Sequence, residues 1–440
     1  MTVLYLILQG KSRFANSRQN VSKRTQKLLI LAFILPIMDI IKDFIKYFNN
    51  MGGNMGRSSN NREVKKNNRI DTLRAILACE RISQPALAAK LGHSGPTVLQ
   101  NVKELIALGL VQEIGMFAST GGRKAKAFAP VAGARIALGL EVTKTHIGIV
   151  AIDFTGKLLH YTQEGREFSM TDGYFRYLGD IVSDFIQKEQ LPEERVLGVG
   201  ISLPGILDDT GKVLAFSHVL NLKNVNTENF NRYIRFPCAF INDANAAGLA
   251  EVYGRDDLKN LVYLSLSNSV GGAILADGKL YTGDHLRAGE LGHNTLVPNG
   301  KLCYCGKKGC VDAYCNANVL SKLTGGDLAL FFDRLQDKEQ DELMQVWRAY
   351  LENLSVVVNN LRMTFDCNIM VGGYVGGFLE EYGGDFREML ARRNPFEPDA
   401  SYFKYCRHKL GASAIGAALL WVEEFIQNLS AKNKKNSGIE

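Results

Sequence analysis

The run from His293 to Cys310 holds one imidazole and three thiols, Cys303, Cys305 and Cys310, interleaved with glycines. Thiolates this close repel one another unless a cation neutralises them, and three sulfurs with one imidazole nitrogen make the closed tetrahedral shell that structural Zn²⁺ prefers. Reduced core thiols are the alternative reading. The neighbours here, however, are Tyr304, Gly306, Lys307, Lys308 and Gly309, which are polar or conformationally free rather than apolar. His293, Cys303, Cys305 and Cys310 are therefore expected to hold a structural zinc ion. Glu290 lies three residues before His293, so the same knot would fix it, and metal and pocket become one construction.

The elements that must position this cluster belong to a long alternating stretch. From Ala137 onward, short apolar runs at Ile136–Leu140, Ile147–Asp153, Val196–Ile201, Ala239–Asn242, Leu261–Leu266 and Ala273–Leu275 are separated by helical stretches, a pattern that implies an α/β body of two lobes. Its polar motifs, in order, are Gly200-Ile-Ser-Leu-Pro204-Gly205, Ile241-Asn242-Asp243-Ala244-Asn245-Ala246-Ala247 and Gly289-Glu290-Leu-Gly292-His293.

Ahead of this body lies a different kind of sequence. Ile70, Leu73, Ile76 and Leu77 have the spacing of an amphipathic helix over Asn68–Cys79. Ser83 then caps a second helix, Gln84–Leu91, with Pro85 in its first turn and Gly92 at its end. A third helix runs from Gly95 or Pro96 to about Leu108, with Val98, Val102, Leu105 and Ile106 turned inward, and Gly109 stops it. Two short helices around a glycine-bearing turn form a helix-turn-helix, whose second helix lies in the major groove. Ser94, Thr97, Gln100, Asn101 and Lys103 are expected to face DNA there. Two strands, Val111–Ile114 and Lys126–Phe128, flank a glycine turn carrying Arg123 and Lys124, which would form a wing on the backbone or minor groove.

Charge follows the same division. Residues 56–130 carry 12 Lys and Arg against 5 Asp and Glu, whereas residues 131–440 carry 32 against 38. A basic module on an acidic body implies a partner with phosphates, most simply double-stranded DNA. At 440 residues and 46% apolar the chain suits two or three domains with substantial cores. Eight cysteines are too few for a disulfide scaffold, so a reducing cytoplasm is the expected setting. The first 58 residues read as an extension, with translation expected to start at Met51 or Met55. Leu28–Met38 is apolar but short of the ~18–20 residues that span a bilayer. A membrane-surface helix over Lys23–Phe48 is the alternative there, but no membrane partner is expected. The expected domains are thus residues 62–130, a winged helix-turn-helix, and 135–428, the two-lobed body, followed by a polar tail over 429–440.

These motifs resemble the ROK family (repressor, open reading frame, kinase), a branch of the sugar kinase and actin-like superfamily. The resemblance covers roughly residues 62–425, carried by the Glu-x-Gly-His run at Glu290–His293 and the Cys-x-Cys-Gly-x-x-Gly-Cys run at Cys303–Cys310. The winged module is similar to that of the family's xylose and N-acetylglucosamine repressors. The resemblance implies an actin-like, ribonuclease H-like body with a sugar between the lobes. It implies hydroxyl contacts from Asn242, Asp243, Glu290 and His293, and from Asp312 where a glutamate is usual. One nitrogen of His293 would face the zinc and the other the sugar. The chemistry agrees, because carboxylates and amides both accept and donate to a polyol, and a site built for hydroxyls rejects analogues that lack them.

In the kinases of this family, Asp243 would be the general base that takes the proton from the attacking sugar hydroxyl. The phosphate cradle is what differs. The kinase pattern Asp-x-Gly-Gly-Thr aligns with Glu141-Val142-Thr143-Lys144-Thr145, and Gly-Thr-Gly-x-Gly-Gly aligns with Ser267-Asn268-Ser269-Val270-Gly271-Gly272. Four glycines are lost, and glycine is what lets backbone N–H groups close on an oxyanion. Neither ATP nor Mg²⁺ is therefore expected. Gly372–Gly377 resembles the nucleotide-base loop but is weak evidence alone. The reading that follows is a sugar-responsive DNA-binding repressor acting as a homodimer or homotetramer, with a sugar or sugar phosphate as effector. An ATP-dependent hexose kinase with Asp243 as base is the alternative, and a scaffold with neither ligand a third.

Overall fold

The computed structural model describes residues 61–117, 125–336 and 341–429. The extension over 1–58, the turn cations Arg123 and Lys124 and the tail beyond Leu429 lie outside the described residues. From Lys66 onward the chain packs as one compact unit.

The unit opens with helix α1 (Asn61–Leu77), strand β1 (Ile82–Ser83) and helices α2 (Gln84–Leu91) and α3 (Gly95–Ala107), followed by the antiparallel pair β2 (Val111–Met116) and β3 (Lys126–Pro130). The expected punctuation is visible at each boundary. Ser83 Oγ accepts from the Ala86 N–H and Ser94 Oγ from the Thr97 N–H, each satisfying a helix N–H that has no intrahelical partner. Gly92 ends α2 in the left-handed region, at φ 64°. Leu73, Ile76, Leu87, Val98, Val102 and Leu105 form the core of this module. Two expectations for α3 change. Ile106 points outward, at 39% exposed, whereas Asn101 is buried.

The body is built twice on one plan. The first lobe has strands β4 (Ile136–Val142), β5 (His146–Asp153), β6 (Leu158–Gly165), β7 (Val196–Leu203) and β11 (Cys238–Asn242), in the order β11-β7-β4-β5-β6. β4, β5 and β6 run antiparallel as a meander, and β7 and β11 add in parallel beside β4. Helix α4 (Asp172–Lys188) connects β6 to β7, and a small sheet of β8 (Ile206–Leu207), β9 (Val213–Ser217) and β10 (Leu222–Asn226) hangs from the end of β7. The second lobe repeats the order with β12 (Leu261–Leu266), β13 (Val270–Ala276), β14 (Lys279–Leu280), β15 (Asn368–Gly372) and β16 (Phe403–Tyr405). β5 is buried along all eight residues, which explains its unbroken apolar run. β6 lies at the edge of the sheet and is largely exposed. The fold is the mixed α/β, two-lobed sugar-kinase architecture with a winged helix-turn-helix in front.

Two helices tie the lobes and the module together. Helix α5 (Asp243–Val252) starts where β11 ends, and the last helix, α8 (Ala412–Gln427), lies against it. The approach is so close that a Cβ on Gly416 would sit 1.7 Å from the Ala246 carbonyl. The other face of α8 shares one apolar cluster with the winged module, in which Leu73 and Ile76 join Ile415, Leu419, Val422 and Ile426. Arg69, 4% exposed, fastens the joint by donating to Glu104 at 2.9 Å and to the Leu429 carbonyl at 3.1 Å. Arg74 pairs with Glu423 on α8. In sequence order two further helices are α6 (Asp341–Phe365) and α7 (Gly373–Tyr382), both in the second lobe.

Candidate functional site

The cysteine loop is a compact knot. The Thr295 and Cys310 backbones pair, Leu302 pairs with Lys308, and the Cys303 N–H donates to the Lys307 carbonyl at 2.8 Å. Gly309 sits at φ 87° with its α-carbon against the Val297 carbonyl, so close that a Cβ would lie 1.9 Å from that oxygen. No other residue fits there. The result brings one nitrogen of His293 and the sulfurs of Cys303, Cys305 and Cys310 within 4.8 Å of one another. Cys305 and Cys310 sulfurs are 3.8 Å apart. A tetrahedral ion with metal–sulfur bonds of about 2.3 Å needs sulfurs roughly 3.7–3.8 Å apart. The four residues can hold a metal ion with little rearrangement.

His293 faces two ways. Its Nδ1 lies 4.0 Å from Cys303 Sγ, while Nε2 lies 3.4 Å from the Tyr304 hydroxyl and 3.9 Å from a Glu290 oxygen. The turn Leu291–His293 that holds it rests directly on β13, where a Cβ on Gly292 would meet the Val270 carbonyl at 2.1 Å. A cavity of about 280 Å³ opens on the Nε2 side, lined by Asn242, Asp243, Glu290 and His293 together with Pro204 and Ser269. Four of the five expected effector residues thus meet in one place.

Asn242 and Asp243 enter this cavity as the cap and first residue of α5. Asn242 Oδ1 accepts from the Asn245 N–H at 2.9 Å, and its amide donates to the Gly205 carbonyl at 3.0 Å and to Asp243 Oδ1 at 3.1 Å. Both amide hydrogens are therefore spent inside the protein, which leaves Asn242 one acceptor lone pair for a ligand. Asp243 Oδ1 also accepts from the Ala244 N–H, while Oδ2 has no partner among the described residues. Burial and the nearby carboxylates of Glu141 and Glu290 push the Asp243 carboxyl up to about 7, outweighing the pull of the Ala244 N–H.

Asp312 departs from its expected role. It is 1% exposed, accepts from the Val270 N–H at 2.6 Å and from the Asn316 amide at 3.0 Å, and does not line the cavity. The shorter side chain braces the start of β13 instead of reaching a ligand. Among the cavity residues that were not anticipated are His218, Arg287 and Tyr304. Tyr304 lies between two of the cysteines, so their spacing could have flagged it. His218 arrives at the end of β9, far in sequence from every motif. Burial lowers its imidazole below the usual value, with His293 adding to the effect and Glu290 opposing it.

On the opposite side of Asp243 lies the place of the phosphate cradle. Thr143 Oγ1 accepts from the backbone N–H groups of Thr145 and His146, at 3.3 and 3.0 Å. Thr145 belongs to the stretch aligned with the first phosphate loop, so one backbone donor of that stretch is already bonded. In the second loop, the carbonyls of Ser267 and Asn268 accept from Ala317 and Asn318. His146 Nε2 reaches the Tyr374 hydroxyl at 3.1 Å, and Ser413 donates to Glu141 at 2.6 Å. The space that remains between these groups is about 90 Å³. Gly373, in the loop resembling a base-binding loop, donates instead to the Tyr263 hydroxyl at 3.2 Å, and Gly372 has that hydroxyl against its α-carbon. The glycines there serve packing.

On the winged module, Ser94, Gln100 and Lys103 are exposed on α3 and Thr97 is half-buried beside Ser94, with their hydroxyl oxygens 2.8 Å apart. Gln100 is steered by Glu104 at 3.0 Å. Asn101 does not join them. Its amide donates to the Asn68 carbonyl and the Thr72 hydroxyl, at 3.1 and 3.0 Å, which ties α3 to α1.

The family model described as ROK family matches residues 137–424, and one described as winged helix-turn-helix DNA-binding matches residues 66–112. The chain belongs to the ROK family. Within the family the chain is similar to the xylose repressor of Bacillus spizizenii, at 29% identity over 265 residues, covering 59% of this chain and 68% of that protein. The N-acetylmannosamine kinase of Salmonella arizonae is 34% identical over 194 residues, covering 42% of this chain and 64% of that one. A solved ROK family transcriptional regulator, a homologue of the E. coli MLC protein, shares the fold with a TM-score of 0.59 at 21% identity, over 83% of this chain and 97% of its own. That likeness extends well beyond the body and into the winged module. Among the described residues, no helix is long and apolar enough to cross a membrane.

Proposed function

We propose that this ROK protein is a sugar-responsive repressor of carbohydrate-use genes. It binds double-stranded operator DNA through Ser94, Thr97, Gln100 and Lys103 and a sugar or sugar phosphate through Asn242, Asp243, Glu290 and His293. The observation that carries this reading is a contrast inside one cleft. The hydroxyl-binding side is open and polar, whereas a backbone N–H of the phosphate side is already bonded by Thr143. The similarity to the xylose repressor supports it. A DNA partner implies a cytoplasmic protein. As a symmetric dimer or tetramer it would set two recognition helices in major grooves about 34–36 Å apart.

The four-residue cluster is a structural zinc site, because three thiolates and an imidazole favour Zn²⁺ over hard cations. Zinc would hold the Nδ1 face of His293 so that Nε2 stays aimed at the effector. Sugar closing on Asp243 would shift α5, and α5 moves against α8, which carries α1 of the winged module. DNA and sugar affinities are then coupled reciprocally. The test is operator binding by fluorescence anisotropy across sugars and sugar phosphates. The reading is overturned if no sugar that stabilises the protein changes operator affinity.

One observation favours kinase activity as a second reading. A carboxyl raised to about 7 with a free oxygen suits a general base. A coupled phosphorylation assay with ATP decides, since turnover that disappears in Asp243→Ala would replace the first reading.

A further inference from the structure

The hydroxyl-binding cavity does not end at its own ligands. A second cavity of about 630 Å³ lies against it, more than twice the 280 Å³ of the first. The two share Gly205, Ile206, Asn242, Ala244, Gly271 and Glu290, so the residues expected to grip a sugar stand between them. The second cavity occupies the gap between edge strand β11 of the first lobe and β13–β14 of the second, with the β8–β9 turn along one wall.

Its lining has the chemistry of a polyol site. The side chains of Asn231, Asn245 and Thr282 face it, are half-buried, and make no hydrogen bond among the described residues. Two amides and a hydroxyl offer both donors and acceptors, which suits the hydroxyls of a polyol. Each comes from a different element: the short helix Glu228–Asn231, the first turn of α5, and the loop after β14. Asn242, whose amide hydrogens are spent on Gly205 and Asp243, is a weak anchor for a single ring. A ligand reaching past it would gain the unspent groups beyond.

The geometry points to a second glycosyl subsite at Asn231, Asn245 and Thr282, so that the effector is a disaccharide or longer glycoside rather than a lone monosaccharide. This rests on the sugar-responsive reading above and names the substrate class of the same cleft. Two or three added hydrogen bonds correspond to roughly tenfold in affinity.

The experiment is isothermal titration of the full chain with glucose, xylose and N-acetylglucosamine, and with maltose, cellobiose, xylobiose and chitobiose. One disaccharide is expected to bind roughly tenfold or more tighter than its own monosaccharide. Thr282→Trp, which adds bulk at a residue that lines the second cavity and not the first, is expected to abolish that advantage and leave monosaccharide binding unchanged. Asn231→Ala, on the four-residue helix, is expected to reduce the advantage without filling space, and guards against misfolding of the tryptophan variant. A monosaccharide that binds as tightly as every disaccharide overturns the second subsite while leaving the sugar-responsive reading intact. So does a disaccharide advantage that survives both substitutions. If none of the seven sugars binds, the second subsite falls, while the sugar-responsive reading is decided separately by the operator-binding screen that includes sugar phosphates.

Discussion

His146 and Tyr374 meet across the two lobes, imidazole Nε2 to hydroxyl oxygen at 3.1 Å. His146 begins β5 in the first lobe and Tyr374 lies in the first turn of α7 in the second. The bond spans the cleft between the aligned phosphate loop and the aligned base loop. His146 is further held by the Thr143 hydroxyl at Nδ1, 2.9 Å away. The protein's own side chains thus hold the lobes together across the phosphate side of the cleft.

Tyr374→Phe should therefore loosen the lobes without opening a nucleotide site. Losing one largely buried hydrogen bond costs about 1 kcal/mol, measurable by urea unfolding. ATP should still give no thermal shift, because Thr143 keeps the Thr145 backbone donor of the loop. A clear ATP-dependent stabilisation of the variant would show that the tyrosine, and not the loop, excludes nucleotide.

Asp243 makes stability depend on pH. Its folded carboxyl titrates at about 7, far above the ordinary carboxylate value of 3.8. Between those values the folded protein keeps a proton that the unfolded chain has released. The stabilisation is fully present below about pH 4 and is lost as pH rises through 7, at ~1.4 kcal/mol for each unit of difference. Asp243→Asn keeps the acceptor for the Ala244 N–H and removes the titration. Its unfolding free energy should be flatter from pH 4 to 8 than that of the parent, and higher at the alkaline end. A parallel profile for the two proteins would remove Asp243 as the cause.

Much of this was legible in the residues because local chemistry determined it. Ser83 and Gly92 announce a cap and a stop, and one imidazole and three thiols within 18 residues announce the cluster that the fold brings together. The glycines absent at Thr143, Lys144, Ser267 and Ser269 are equally plain in the sequence. The departures arise where tertiary packing chose among side chains that a helix pattern treats alike. Asn101 is polar and looks outward by type, yet it satisfies the Asn68 carbonyl and Thr72 across α1. Asp312 carries a carboxylate suited to a sugar, yet the Val270 N–H needs it. His218 reaches the cavity only because β9 ends there, which no spacing encodes.

Metal and effector should be lost together. Cys305→Ser removes one of three thiolates, and the remaining set would bind zinc more weakly while the loop that carries Glu290 and His293 loses its tether. Zinc content by mass spectrometry under native conditions should fall, and sugar affinity with it. The winged module should keep its fold, because its core with α8 contains no part of the knot. Retained sugar affinity in zinc-free protein would separate the two sites.

The two polar residues of α3 that look alike in sequence should behave in opposite ways. Lys103 is exposed, with no ion pair among the described residues, so Lys103→Ala should weaken operator binding uniformly across DNA sequences and reduce the salt slope by about 1, with stability unchanged. Asn101→Ala should instead remove the hydrogen bonds from its amide to the Thr72 hydroxyl and the Asn68 carbonyl, the latter still bonded by Thr72, at a cost of ~1 kcal/mol. At a temperature where that variant is still folded, its salt slope should match the parent, because no phosphate contact has been removed. If Asn101→Ala instead keeps full stability and loses discrimination at one base pair of the operator, then α3 turns on binding and Asn101 reads DNA after all.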